Sequence, residues 1–143
     1  MLKVGVIGVG AMGRNHARIY ADLDNVELVA VADTNKESIS HIARKYGCKG
    51  YLDYNDMLAK EKLDIVSIVV PTSKHKEAAL AVIEKGVNVL LEKPIASTVE
   101  EGMEIIKSAK EKNVKLTIGH IERFNPAVIE LKKMLDRDRK SVV

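Results

Sequence analysis

The chain reads as an α/β protein, a doubly wound parallel sheet of six strands in the order 3-2-1-4-5-6. Three observations lead there. Short β-branched runs alternate with stretches whose apolar residues recur at helical spacing. The run Leu63-Asp64-Ile65-Val66-Ser67-Ile68-Val69-Val70 is nearly continuous in apolar residues, as a strand covered on both faces of a parallel sheet requires. The first run, Val4-Gly5-Val6-Ile7, flows directly into Gly8-Val9-Gly10-Ala11-Met12-Gly13 and then into a helix. Right-handed crossovers between parallel strands then limit the topology to the doubly wound order.

Taken in order, the first strand is followed by a helix over 11–22 whose covered face is Met12, His16, Ile19, Tyr20 and Leu23. Asp24-Asn25 breaks it. The second strand, 26–32, ends at Asp33, and Thr34 or Asn35 caps a helix carrying Ile39, Ile42, Ala43 and Tyr46 to its close at Gly47. Alternation of strand and helix predicts a brief third strand at 49–51 and a small helix over 53–60. Pro71 stops the fourth strand at 63–70, and a helix over 73–85 ends at Gly86 before a fifth strand at 87–91. Glu92-Lys93-Pro94 interrupts the pattern. Ser97 or Thr98 then caps a helix to Lys112, with Val99, Met103, Ile106 and Ala109 facing inward, and 114–118 forms the sixth strand. Asn125-Pro126, a cap followed by a first-turn proline, opens a last helix with an apolar stripe at Val128, Leu131 and Leu135.

At 143 residues the chain has the length of one domain. With 46% hydrophobic and 30% charged residues it can bury a core, which excludes global disorder. The net charge of +3 is small and its lysines are dispersed, and with 3% aromatics there is little to stack on bases, so nucleic acid is not an expected partner. Lys132, Lys133, Arg137, Arg139 and Lys140, interleaved with Asp136 and Asp138, read as a solvated helix face. Cys48 stands alone, so no intrachain disulfide ties the protein to an oxidising compartment. No run approaches the ~20 apolar residues of a membrane helix. The cytoplasm is the expected location.

The G-x-G-x-x-G spacing has a mechanical meaning in this context. Gly8 allows the tight turn out of the strand, Gly10 lets backbone approach a pyrophosphate, and Gly13 lets the helix pack closely on the strand. The amides of Gly10, Ala11, Met12 and Gly13 open that helix, where an anion needs no charged side chain. Asp33, twenty residues past Gly13, can accept hydrogen bonds from an adenosine ribose. A carboxylate there favours NAD and repels the 2′-phosphate of NADP, while Lys36 works against that preference. In a doubly wound sheet ligands bind beyond the carboxyl ends of the strands. Asp33 and Thr34, Pro71 and Thr72, Glu92-Lys93-Pro94 and Gly119-His120 follow strands two, four, five and six, and so converge on one crevice. No Cys, His and carboxylate group has metal-ligand spacing, so no metal is expected. His16 and His41 lie on helices without a constellation and read as structural.

Pro71-Thr72-Ser73-Lys74-His75, Glu92-Lys93-Pro94 and Gly119-His120-Ile121-Glu122-Arg123-Phe124-Asn125-Pro126 resemble the N-terminal, nucleotide-binding domain of the glucose-fructose oxidoreductase/inositol dehydrogenase/MocA family. The resemblance implies NAD(P)-dependent oxidation of a secondary alcohol on a sugar or cyclitol, with Lys93 as the catalytic residue contacting the nicotinamide ribose and the reacting hydroxyl. The late Gly-His-x-x-Arg-Phe-Asn-Pro is similar to members acting on nucleotide-activated sugars. In the same frame His75 either faces the nicotinamide or lies in the first turn of a helix. Glu92 is either an acidic partner for Lys93 or a strand-end residue. His120, Arg123 and Asn125 line the nicotinamide end, or Asn125 is only a cap, and Lys93-Pro94 is either cis or trans.

The family continues into a second α/β domain with an antiparallel sheet and an acid/base histidine, which nothing here matches. The expected division is therefore a dinucleotide domain at 1–124 and, at 125–143, a helix and tail leading toward a missing C-terminal domain. Two classes stay open: the cofactor domain of an oxidoreductase, inactive alone, or a stand-alone dinucleotide-binding or regulatory module. The stripe of the last helix offers a surface for a homo-oligomer.

Overall fold

The computed structural model describes residues 1–139, so the tail from Lys140 lies outside the described residues. In chain order the elements are β1 (Leu2–Ile7), α1 (Ala11–Asp22), β2 (Val26–Ala32), α2 (Lys36–Tyr46), β3 (Lys49–Tyr51), α3 (Tyr54–Lys60), β4 (Ile65–Ile68), α4 (His75–Glu84), β5 (Asn88–Leu91), α5 (Val99–Glu111), β6 (Leu116–Ile118) and α6 (Pro126–Arg139). All strand pairs are parallel and the order is β3-β2-β1-β4-β5-β6. Both features are those expected from the sequence.

Strand alternation sorts the apolar residues onto two faces, and a register shift in the β1–β2 pairing between Val4 and Gly5 brings Leu28 onto the same face as Val31. Val6, Leu28 and Val31 pack with Ala17 of α1 and Ile39 and Ile42 of α2 on one face. Ile7, Ile68 and Leu91 pack with Met57 of α3, Val82 and Ile83 of α4 and Ile105 of α5 on the other. Each fully buried Val, Leu, Ile or Met side chain here contributes about 1.5–3 kcal/mol. Helix starts follow local chemistry: the Asn35 side chain, not Thr34, accepts from the Ser38 amide at 2.9 Å, and Thr98, not Ser97, accepts from the Glu101 amide at 3.2 Å.

Two helix faces differ from the periodicity. On α1 the covered residues are Gly13 and Ala17 with half-buried His16 and Tyr20, whereas Met12, Ile19 and Leu23 are more than 40% exposed. Small residues win because they let the helix axis approach the strands, which a row of large side chains prevents. On α5 the inner face is Gly102, Ile105 and Ala109; Val99 and Met103 are 76% and 61% exposed, and Ile106 is half-buried. Apolar residues lie around much of this helix, and Gly102 brings it against Ile95. The fourth strand is shorter than its apolar run, and a 3₁₀ turn over Thr72–Lys74 precedes α4 where the sequence suggested continuous helix from Ser73. A second 3₁₀ turn, Ile121–Phe124, leads into α6.

The stripe on α6 exists, but Val128, Leu131 and Leu135 are 40%, 56% and 57% exposed. The described part of the basic run lies on an exposed face, with Lys132 3.4 Å from Asp136 and Lys133 3.0 Å from Glu130, while the Arg139 side chain and Lys140 lie outside the described residues. Among the described residues no helix is long and apolar enough to cross a membrane.

Edge strand β3 is tied to the end of α3 by Glu61, whose carboxylate accepts from the Tyr51 hydroxyl and from Lys49 Nζ at 2.9 Å. The Tyr51 hydrogen bond, then Lys49, holds the Glu61 carboxyl below its ordinary 4.5, and the same hydrogen bond pushes the Tyr51 phenol up to about 12. A depressed folded value stabilises above the unfolded value and is lost as pH falls through the folded one. Glu61→Gln should therefore destabilise by about 1 kcal/mol near neutral pH. The deficit should vanish in strong acid, as thermal melts across the acid range would show; a deficit that persists there would contradict the assignment.

Candidate functional site

The crevice begins where β1 leaves the sheet. Gly8 has φ 88°, and a Cβ there would strike the Val69 carbonyl of the neighbouring chain segment. A Cβ on Gly13 would land on the Gly8 carbonyl oxygen, so the first turn of α1 is pressed against the loop. Gly10 differs: it is exposed, and a Cβ there would meet nothing within 4 Å. α1 opens at Gly10 without a side-chain cap and without an acidic residue in its first turn. The opening amides, including those of Ala11, Met12 and Gly13, are thus presented with the positive end of the helix dipole toward whatever occupies the space over Gly10.

Asp33, at the carboxyl end of β2, holds this loop from the other side. Its Oδ2 accepts from the Val9 amide at 2.7 Å and its Oδ1 from the Asn35 amide at 2.9 Å. Each carboxylate oxygen keeps a further lone pair for a ligand hydroxyl. Between Gly10, Asp33 and the segment after β4 lies a cavity of about 480 Å³, bordered also by Thr34, Val70 and Pro71. Leu52, Tyr54, Lys74 and Glu77 also line it, none of them among the cofactor residues expected from sequence. Tyr54 donates to Glu77 Oε1 at 3.1 Å, and Lys74 Nζ lies 3.5 Å from Glu77 Oε2. The signal was available, because Leu52 and Tyr54 follow the carboxyl end of β3 just as Asp33 follows that of β2. An open cradle over Gly10 and an apolar-walled cavity ending at a carboxylate fit the pyrophosphate and adenosine of a dinucleotide.

A second group gathers beyond β5. The Lys93–Pro94 bond is cis, and both residues are exposed. The Lys93 ammonium has no ion-pair partner among the described residues. Glu92 is not that partner: its Oε1 lies 3.2 Å from His16 Nε2, and its Oε2 accepts from the backbone amide of Lys93 at 3.1 Å. His16 therefore does have a constellation, contrary to the sequence expectation, since its Nδ1 also meets Ser67 Oγ at 3.2 Å. Partners 51 and 76 residues away leave no mark in local periodicity. Burial raises the Tyr20 phenol against the opposing effect of its hydrogen bond with Ser67.

His75 is 1% exposed, with Nδ1 2.8 Å from the Pro94 carbonyl and Nε2 2.9 Å from the Val70 carbonyl. It therefore bridges two loops beneath the crevice instead of opening into it. Thr72 is half-buried in the 3₁₀ turn ahead of it. His120 and Arg123 are exposed. Asn125 acts as a cap, its Oδ1 accepting from the Ala127 amide at 3.0 Å while its Nδ2 donates to Glu122 at 2.8 Å.

Comparison with known proteins matches residues 2–120 to a family model described as the oxidoreductase family with an NAD-binding Rossmann fold, GFO_IDH_MocA. The chain belongs to this family. It is 39% identical over 132 residues to UDP-N-acetylglucosamine 3-dehydrogenase of Acidithiobacillus ferrooxidans, spanning 92% of this chain and 41% of that protein. It is 34% identical over 139 residues to inositol 2-dehydrogenase/D-chiro-inositol 3-dehydrogenase of Halalkalibacterium halodurans, spanning 94% of this chain and 40% of that one. The WlbA dehydrogenase of Bordetella pertussis, solved with NADH and UDP-GlcNAcA, superposes with a TM-score of 0.90 at 29% identity over 96% of this chain and 42% of its own. The chain is the NAD-binding Rossmann domain of this family, and it spans about two fifths of the length of the relatives it matches.

The glycines make separable claims. Gly10→Val should keep a cooperative melt and lose NAD binding by calorimetry, because the added side chain fills open space above the loop. Gly13→Ala should lose about 1–3 kcal/mol of stability, because its methyl has nowhere to go. NAD binding by a folded Gly10→Val chain at wild-type affinity would make the loop a structural turn only.

Proposed function

We propose that this chain is the cofactor domain of an NAD-dependent dehydrogenase that oxidises a secondary alcohol of a sugar, cyclitol or nucleotide sugar. The observation that carries the proposal is Lys93, exposed and without an ion-pair partner among the described residues, at the carboxyl end of β5, two strands or about 10 Å along the sheet from the Gly8–Gly13 loop. NAD, when bound, supplies the hydride acceptor. The amides of Gly10, Ala11, Met12 and Gly13 would hold the pyrophosphate above the turn at Gly8, whose own amide donates to the Ala32 carbonyl at 2.8 Å; Asp33 and Thr34 would hold the adenosine ribose, and Pro71 and Thr72 would form the wall between the two halves.

Lys93 would hydrogen-bond the nicotinamide ribose and the reacting hydroxyl. The hydride would pass to NAD and the hydroxyl proton to the acid/base histidine of the family's second domain, while an ammonium at Lys93 would stabilise the negative charge developing on oxygen. His120 and Arg123 would border the nicotinamide end, with His75 and Asn125 supporting it through the Pro94 loop and the start of α6. The named sugar and cyclitol dehydrogenases among the relatives support the substrate class, and the segment Gly119–Pro126 supports its nucleotide-sugar branch. Residues 1–124 form the dinucleotide unit, and 125–143 lead toward a second domain that supplies substrate contacts. The alternative, a dinucleotide-binding module without catalysis, predicts the same binding but no activity in any longer parent.

Calorimetry with NAD and NADP tests the cofactor half. NAD should bind at least about tenfold tighter, since Asp33 meets a 2′-phosphate at a few ångströms in a partly buried site. Asp33→Ala should narrow the gap, and equal or reversed affinities in the wild type would sink the preference. For the catalytic half, the isolated chain should produce no steady NADH from sugars, cyclitols or UDP-sugars, because a positioned acid/base is worth ~10²- to 10⁴-fold and substrate orientation adds more. Turnover by this chain alone would overturn that division of labour.

A further inference from the structure

Building on the role given above to Lys93, we propose that His16 is a positioning residue for this lysine, acting through Glu92. Four side chains from α1, β4 and the end of β5 meet on one face of the sheet. Tyr20 Oη lies 2.6 Å from Ser67 Oγ, Ser67 Oγ lies 3.2 Å from His16 Nδ1, and His16 Nε2 lies 3.2 Å from Glu92 Oε1. The second carboxylate oxygen of Glu92 accepts the Lys93 amide at 3.1 Å. The His16 and Glu92 side chains are only 13% and 10% exposed. The partners assign the protons: Tyr20 donates to Ser67, Ser67 donates to Nδ1, and Nε2–H donates to Glu92, which leaves no group in the row without a partner.

The carboxylate is walled from the opposite side as well. A Cβ on Gly119 would stand 2.9 Å from Glu92 Oε1 and 3.0 Å from its Cδ, so only a glycine at the turn after β6 leaves the carboxylate in this place. A charge so nearly enclosed, deprived of the donor on its Oε1, gains by swinging toward water. That motion would release the Lys93 amide. His16 lies one turn past Gly13, so the helix whose first amides face the crevice also fixes the strand end that carries the lysine. The spacing between the pyrophosphate cradle and the reacting ammonium is thereby set by side chains that touch neither ligand.

A purely structural pair would affect stability alone, so the test reads Lys93 itself. Amide hydrogen exchange followed by NMR on the labelled chain compares wild type with His16→Gln, His16→Asn and Gly119→Ala, alongside thermal melts and NAD calorimetry. Gln can place a donor where Nε2 stands; Asn reaches only toward Ser67. Exchange at Lys93 should quicken about tenfold or more in His16→Asn and Gly119→Ala, the change expected when a hydrogen bond to a charged group is lost. Amides within β5 should keep their wild-type exchange, and His16→Gln should restore slow exchange at Lys93. The proposal is overturned if the Gln and Asn variants behave alike at Lys93, or if Gly119→Ala leaves its exchange unchanged. Should His16→Asn fail to fold, Gly119→Ala against His16→Gln still decides. Failure of every variant and of the wild type to bind NAD would refute the cofactor role while leaving the Lys93 exchange result intact.

Discussion

Backbone lies against backbone at the end of β1, with no room for a side chain at Gly8 or Gly13, and the rest of the site depends on that contact. It brings the first turn of α1 onto the strand and points the helix's free amides over the crevice. The sheet order makes the crevice. β1 sits between β2 and β4, and the helices that follow β2 and β4 leave on opposite faces, so a gap opens above the carboxyl ends. Asp33 then locks the loop by taking the Val9 amide, a bond that preorganises the loop before any ligand arrives.

The two ends of the crevice are built differently. The side beside Asp33 is a walled cavity, bordered by Leu52 and Tyr54 from beyond β3 and by the segment after β4. Beyond β5 the lysine, His120 and Arg123 stand exposed, and the apolar side chains of α6 face outward. Firmness there comes from beneath. His75 clamps the Val70 and Pro94 carbonyls, and Glu92 is held between His16 and Gly119. The buried groups thus supply order at the strand end while the ammonium above them stays accessible.

Much of this was legible from the sequence because it is local or periodic. The β-branched runs, the glycine spacing and Asp33 at a strand end specify the sheet, its order and the loop, and each stands where expected. What escaped depends on contacts distant in the chain or on size instead of polarity. The inner face of α1 is Gly13 and Ala17, because close approach mattered more than hydrophobic bulk, and a count of large apolar residues points to the wrong side. The inner face of α5 turned for the same reason at Gly102. His16 looked like a lone helix residue because Ser67 and Glu92 lie on strands far along the chain. His75 was ambiguous from sequence, since only the fold shows carbonyls at both ring nitrogens.

The claim that the carboxyl-end crevice is a dinucleotide site, with its cradle at one end and Lys93 at the other, is tested most directly by titrating the ¹⁵N-labelled chain with NAD and following backbone amides. Saturable shifts should begin at Val9, Gly10, Ala11, Met12 and Gly13 and include Asp33, Thr34 and Lys93, with little change on α2 or the outer face of α5. Shifts confined to α5 or α6, or a silent Gly8–Gly13 loop at saturating NAD, would contradict it.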